Sequence, residues 1–341
     1  MRTRTLVMPS KPAAFLAAML LVPGVLTPSF LSADVLTLGP TQSGHSTAAG
    51  GSTNAAGSPE IDVRVMTFNI RHGTDEDNDL DLESVADDIK SAKAQIVGLQ
   101  EVDRHRSSRS DFVDQAKWLA KRLHMHFAFG LNRKTPPKKG HKKPGLHGVV
   151  VLSKFPILSA HNHMLTSIKY KHRPTKQRSM LEVVIDVKGT KISFYNTHLD
   201  HQRKEQRLAE MQQILAITRQ SSRPSVFVGD LNSQPSSRVL DLARTQFHDV
   251  MAELGEGEEL TFPYEDPDRR IDYILTRGPI TARWGVVVDT DSSDHMPVVA
   301  DLAIAKPVKK PSPPPARLEG GPRIAPHPPV APRTGTTPIW F

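Results

Sequence analysis

The sequence contains no cysteine. This excludes a disulfide framework, a thiolate metal site, a cysteine nucleophile and a lipidated N-terminal cysteine, so the fold must rely on its core. Aromatic residues are only 6% of the chain and fall mainly in stretches with strand character. No exposed aromatic loop for docking on a membrane stands out, which weighs against a sphingomyelinase-type lipid hydrolase. No apolar run is a convincing bilayer span either: the best, Ala13 to Leu26, is short and broken at Pro23-Gly24. The middle of the chain also lacks charge of one sign. Residues 1–59 carry about +2 and residues 303–341 about +5 of the formal +8, so the high pI belongs to the ends. Strong duplex binding would need that charge on the folded part. No internal repeat is present.

What is there divides cleanly. Arg2, Arg4 and Lys11 ahead of the apolar segment, with small residues at Ser32-Ala33, read as a cleavable signal peptide over 1–33 rather than an uncleaved anchor, and predict a secreted or periplasmic protein without stable membrane insertion. Residues 34–60 are rich in Gly, Ser, Thr and Ala and are expected to be a disordered linker. A folded domain is expected over 61–305. Beyond it, 306–341 hold eleven prolines and predict an extended, disordered tail.

Within the domain, apolar strand-like runs repeatedly close on polar residues. Val226 to Val228 lead through Gly229 to Asp230, Leu231 and Asn232; alternation along an extended chain puts Asp230 and Asn232 on one side. An Asx turn is the plain alternative for that pair. The same design recurs where Ile61 to Phe68 close on Asn69, Ile96 to Gln100 on Glu101, Ile192 to Thr197 on His198, and where Asp272 and Asp294-His295 adjoin further strands. Helices are expected at Leu82 to Ala92, Asp111 to Leu123 and Arg203 to Arg219. Between Asn132 and His147 a basic, Pro- and Gly-containing stretch reads as a solvated loop or as a phosphate-attracting rim. Carboxylates, carboxamides and imidazoles, without an activated Ser or Cys, suit a hard oxygen site for Mg²⁺ or Mn²⁺ with two groups that bind or protonate phosphate oxygens.

The segments TFNIRHG, GLQEVD, YNTHLDH, VFVGDLNSQP, RRIDYIL and SSDHMPV, in this order from Ile61 to about Ile304, resemble the signature motifs of the endonuclease/exonuclease/phosphatase superfamily, the deoxyribonuclease-I-like hydrolases. The resemblance implies an α+β fold: a four-layer α/β/β/α sandwich of two mixed β-sheets with outer helices and a site at one edge. It implies Asn69, Glu101 and Asp294 as the metal side, Asp230 as the group that orients or deprotonates water with Asn232 beside it, and His198 and His295 as phosphoryl contacts. Asp272 would fix the ring of His295. His147 stands where many relatives carry tyrosine or another phosphate-contacting residue, a departure that leaves the substrate pocket open, and Arg178 is a further candidate phosphate contact.

The expected activity is that of a metal-dependent phosphodiesterase of endonuclease type, monomeric, with DNA or RNA among its candidate substrates. The alternatives are a hydrolase of small phosphoesters or phospholipids, a non-catalytic binding module on the same fold, and a Ser-His-Asp hydrolase using Ser292 or Ser293, neither of which sits in a nucleophile elbow.

Overall fold

The computed structural model describes residues 59–75 and 77–307. The expected signal peptide lies outside the described residues, as do the linker and the tail except for 59–60 and 306–307. Among the described residues no helix is long and apolar enough to cross a membrane.

Twelve strands form two six-stranded sheets. The first contains β1 (Glu60–Asn69), β2 (Ile96–Arg104), β3 (His126–Thr135) and β4 (Gly145–Ser153), with β11 (Ile280–Val287) and β12 (Val298–Ala305). Its order is β11-β12-β1-β2-β4-β3. The second contains β5 (Ile157–Met164), β6 (Ser179–Val187), β7 (Thr190–His198), β8 (Ser225–Asp230), β9 (His248–Asp249) and β10 (Asp272–Arg277) in the order β5-β6-β7-β8-β10-β9. Each sheet has one parallel pair, β1 with β2 and β7 with β8, and is antiparallel elsewhere. Helices α1 (Leu82–Ser91) and α2 (Gln115–Leu123) cover the outer face of the first sheet, and α3 (Lys204–Thr218) and α4 (Arg238–Arg244) that of the second. A short α5 (Val250–Glu253) follows β9. This is the four-layer sandwich that the motifs implied.

Strand alternation builds these layers. On β1, Val63 and Val65 face the opposing sheet, while Met66 and Phe68 pack with Val85 and Ile89 of α1. On β8, Val226 and Val228 point into the inter-sheet core and Phe227 packs outward with Met211 and Ile214 of α3. The two sheets approach closely at Gly98, where a Cβ would meet the Val228 side chain at 2.4 Å. An amide clamp joins them nearby: Gln100 donates to Asn196 Oδ1 at 2.8 Å, and Asn196 donates to the carbonyls of Leu99 and Val150 at 2.9 and 2.8 Å. Buried amides bonded across the two sheets in this way fix the register of one sheet on the other, although Gln100 Oε1 itself is buried without a partner.

Three local expectations change. Helix α2 begins at Gln115, not Asp111, because Asp114 caps it by accepting the Lys117 N–H, while Asp111 lies in the left-handed region at φ 47°. Part of the expected basic loop is strand, since β3 runs to Thr135 and pairs with β4. The edge strand β5 was not expected: its residues are mostly exposed, so burial imposes no alternation for a reader to detect.

Candidate active site

The parallel pairs place four strand ends at one rim, and alternation decides which side chains look inward. Asn69 shares the parity of Val63 and Val65, His198 that of Phe194 and Asn196, Asp230 that of Val226 and Val228, and Asp272 that of Ile274; these partners line the space between the sheets. The polar cluster is therefore the end of the core, where its layer stops being apolar. Asp272 faces Asp230 directly as a register pair of antiparallel β10 and β8.

Asp230 is the hub. Its Oδ2 accepts from Asn69 Nδ2 at 3.1 Å and lies 3.4 Å from His198 Nε2 and 3.8 Å from His295 Nε2. His295 is held from behind, its Nδ1 2.9 Å from Asp272 Oδ2, which also accepts from the Thr261 hydroxyl at 2.8 Å. The ring of Phe262 lies against the imidazole at 4.5 Å between centroids. Asn232 follows with φ 48°; its N–H donates to Asp230 Oδ1 at 2.9 Å and its side chain to the Leu199 carbonyl at 3.1 Å. The Asx turn is thus real, and it fixes the carboxylate of Asp230 while Leu231 is buried in the outer core.

The two histidines differ electrostatically. Burial lowers His198, and Arg178, which donates to its Nε2 at 3.2 Å, lowers it further, well below its ordinary range; it is neutral at pH 7. For His295 burial also opposes the charge, but Asp272 and then Asp230 outweigh it and raise the ring to about 9. Burial, with Asp272 adjoining, pushes Asp230 up to about 7. The rim thus holds a carboxylate near neutrality beside a protonated imidazole, the pairing that general base and electrostatic donor roles require.

Glu101 sits on the bulged part of β2 at φ 59°, so the strand turns it toward the rim. Burial acts against its charge, yet His72, His198, His147 and Arg178 hold its carboxyl well below the usual range. The Nδ1 atoms of His72 and His198 each lie 3.9 Å from one of its oxygens and are buried without a hydrogen-bond partner. The neutral His198 accepts at Nε2 and so turns an N–H toward Glu101, which leaves the carboxylate and the unpartnered His72 nitrogen as the pair that fits a divalent cation. Asp230, Asp272 and His295 also offer ligand atoms within 4.8 Å of one another. There, however, Asp272 Oδ2 is bonded to His295 and the Asp272 side chain is 1% exposed against 27% for Glu101, so Glu101 is the more accessible donor, although Asp272 Oδ1 also lacks a partner.

Asp294 stands at the same rim, its Oδ2 3.4 Å from Arg71 Nε, while the neighbouring Ser293 hydroxyl donates to the Asn69 carbonyl at 2.7 Å. Ser292 donates to Asp88, so both serine hydroxyls are engaged in structural bonds. His147 is set back, with Nδ1 2.8 Å from the fully buried Asp103. Two hollows flank the cluster. One, of about 420 Å³, includes Glu101, His147 and Arg178; the other, of about 350 Å³, includes Asn232 and His295. A larger hollow of about 580 Å³ behind α1 and α2 contains none of these groups.

His72, Asp103 and Thr261 escaped the sequence reading as individual site residues. The first two lie inside the quoted segments TFNIRHG and GLQEVD, but Thr261 sits in a loop whose path no local pattern announces.

A family profile described as Endonuclease/Exonuclease/phosphatase family matches residues 66–295. Among solved structures, the chain is similar to an endonuclease/exonuclease/phosphatase from Beutenbergia cavernae DSM 12333, at 26% identity over 72% of each chain and a TM-score of 0.60. It is also similar to a mannosyl-6-phosphatase from Bacteroides thetaiotaomicron VPI-5482, at 18% identity over 70% of this chain and 99% of that one with a TM-score of 0.56. The human Nocturnin catalytic domain, with bound sulfate, aligns at 19% identity over 71% of this chain and 93% of that one with a TM-score of 0.54. At such identities the last two show a common fold.

Proposed function

Because the chain belongs to the endonuclease/exonuclease/phosphatase family, we propose that it is an exported, metal-dependent phosphoesterase in which water attacks a phosphoryl group at this rim, phosphodiesters being the first substrates to test. One observation carries the reading: Asn69, His198 and His295, from both sheets, converge within 3.1 to 3.8 Å of a single carboxylate oxygen of Asp230. Export rests only on the basic and then apolar start of the sequence.

Asp230, poised near neutrality, orients the water and takes its proton. His295, kept protonated by Asp272, presents Nε2 to the phosphoryl oxygens and opposes the charge that grows on them in the transition state. Neutral His198 and the cation of Arg178 approach from the other side. Glu101, together with Asn69 and Asp294 at the same rim, would hold Mg²⁺ or Mn²⁺, which when bound supplies Lewis-acid stabilisation of phosphoryl charge.

The test is hydrolysis of bis-p-nitrophenyl phosphate and p-nitrophenyl phosphate by the purified chain with Mg²⁺ or Mn²⁺, beside DNA, RNA, sphingomyelin and inositol phosphates. Turnover abolished by chelator and by Asp230→Asn or His295→Ala is expected; turnover indifferent to chelator refutes the mechanism. The exposed Lys138, Lys139, Lys142 and Lys143 provide the nucleic-acid arm. Neutralising them should depress DNA cleavage steeply if DNA is the substrate.

A further inference from the structure

Two carboxylates cannot neutralise the hollow on the Glu101 side. Five cationic side chains line its wall of about 420 Å³, namely Arg106, Arg109, Arg133, Lys176 and Arg178, with Glu101 the only acidic side chain among the lining residues. Asp103 lies beneath them, fully buried. Arg109 grips it through two hydrogen bonds of 2.8 and 2.9 Å, and Arg106 lies 3.3 Å from it. That carboxylate anchors two guanidinium groups at the wall of the hollow. Among the described residues no carboxylate is within ion-pair distance of Arg133, Lys176 or Arg178. Arg178 is 3% exposed, and its Nε is buried with no hydrogen-bond partner.

We propose that this hollow is a subsite for a second phosphate of a small substrate, so that the enzyme prefers compounds carrying two phosphates over those carrying one. The proposal rests on the phosphoesterase reading of the adjoining centre. Arg178 joins the two places, lining the hollow while donating to His198 at 3.2 Å. A guanidinium fork matches two phosphate oxygens, and positioned guanidiniums lose little freedom on binding. Partial burial and then Arg178 push the Lys176 ammonium down, as expected of a cation among cations that lacks its anion.

The lining also says what the rest of the ligand is. Its only aromatic ring is the imidazole of His147, 14% exposed and bonded to Asp103, so it offers a nucleobase little aromatic surface, whereas Asn132, Thr175 and Gln177 match hydroxyl groups. A phosphorylated polyol fits better than a strand of nucleic acid. The four lysines of the 138–143 loop take no part in this wall; Arg133 is the one cation that the 132–147 stretch contributes to it.

The experiment compares myo-inositol 1,4-bisphosphate with inositol 1-phosphate on the full chain in Mg²⁺. Their inhibition of p-nitrophenyl phosphate hydrolysis and their direct binding by calorimetry are both measured. In the wild type the bisphosphate should bind at least about tenfold more tightly, since each added charge-assisted contact supports a gain of that order. In Arg133→Ala/Lys176→Met the ratio of the two affinities should fall toward unity, and Lys176→Arg alone should preserve it. Neither Arg133 nor Lys176 has an ion pair to lose, and a melting curve checks that the double variant is folded. Equal binding in the wild type, or a preference that survives the double variant, overturns the subsite. If no phosphoester is turned over but the calorimetric preference stands, the catalytic reading fails and the subsite does not.

Discussion

The imidazole Nδ1 of His295 lies 2.9 Å from Oδ2 of Asp272, so the ring's other nitrogen is turned to the rim, where it lies 3.3 Å from Asn69 Nδ2 and 3.8 Å from Asp230 Oδ2. The pair spans the two sheets, since Asp272 opens β10 and His295 precedes β12. Because Asp272 is the largest of the charges that raise His295 to about 9, the two residues should be inseparable in a pH profile.

Asp272→Asn should lower kcat by about 10²- to 10⁴-fold and move the alkaline limb of the profile toward acid. The sign follows from the raised imidazole. Its contribution to stability is complete below its unfolded value near 6.5 and is lost as pH rises through about 9, so the variant should also lose stability mainly below that limit. Steady-state rates and thermal melts from pH 6 to 10 measure both. An alkaline limb that stays in place would remove His295 as the donor.

Asp230→Asn should separate activity from stability. The carboxyl of Asp230 is raised to about 7 by burial and by Asp272, so the folded metal-free protein prefers the proton, and the ionised form costs stability increasingly as pH rises from about 4 through 7. The amide cannot take a proton from water, so kcat should fall by at least about 10²-fold. At pH 8 the metal-free variant should melt roughly 2–4 °C higher than the wild type. A variant that is both inactive and less stable would mean that the carboxylate is held for structure.

Much of this arrangement is legible in the residues because period-two alternation carries two messages at once. The apolar members of β1, β7, β8 and β10 announce the core, and extending the same parity by one step places Asn69, His198, Asp230 and Asp272 on the inner side of the rim. Glu101 breaks that rule: the bulge between Leu99 and Val102 and a left-handed backbone re-aim it, and no residue in GLQEVD marks the irregularity. Edge strand β5 escapes for the opposite reason, since its exposed side chains obey no pattern. The cationic hollow draws Arg106 and Arg109 from the loop after β2 and Lys176 and Arg178 from the approach to β6, segments that meet only through the topology.

Glu101 is the donor with most freedom to bind a cation, so Glu101→Gln should weaken Mn²⁺ binding by about 10- to 100-fold, measured by calorimetry on the chelator-stripped protein. His72→Ala should weaken it less if its ring bonds the carboxylate, and should remove a nitrogen coupling from the Mn²⁺ pulsed-EPR spectrum if the ring binds the ion. Unchanged affinity in Glu101→Gln would move the metal toward the Asp230, Asp272 and His295 group.

Asp103 tests whether the cationic wall is held from within. Burial opposes its charge, but His147 and Arg109 outweigh that and hold the carboxyl below its ordinary range, so its contribution is present above about 3.8 and is lost as pH falls below that. Asp103→Asn leaves Arg106 and Arg109 without their shared partner. Breaking such a pair costs about 3 kcal/mol, which corresponds to a melting temperature roughly 6–12 °C lower at pH 7. The gap between variant and wild type should narrow only below pH 4, as both proteins then lack the charge. A variant that melts with the wild type at pH 7 would show that the guanidiniums are positioned by their own chain. In that case the wall would owe its shape to the loop after β2, and the buried carboxylate would serve only to offset charge.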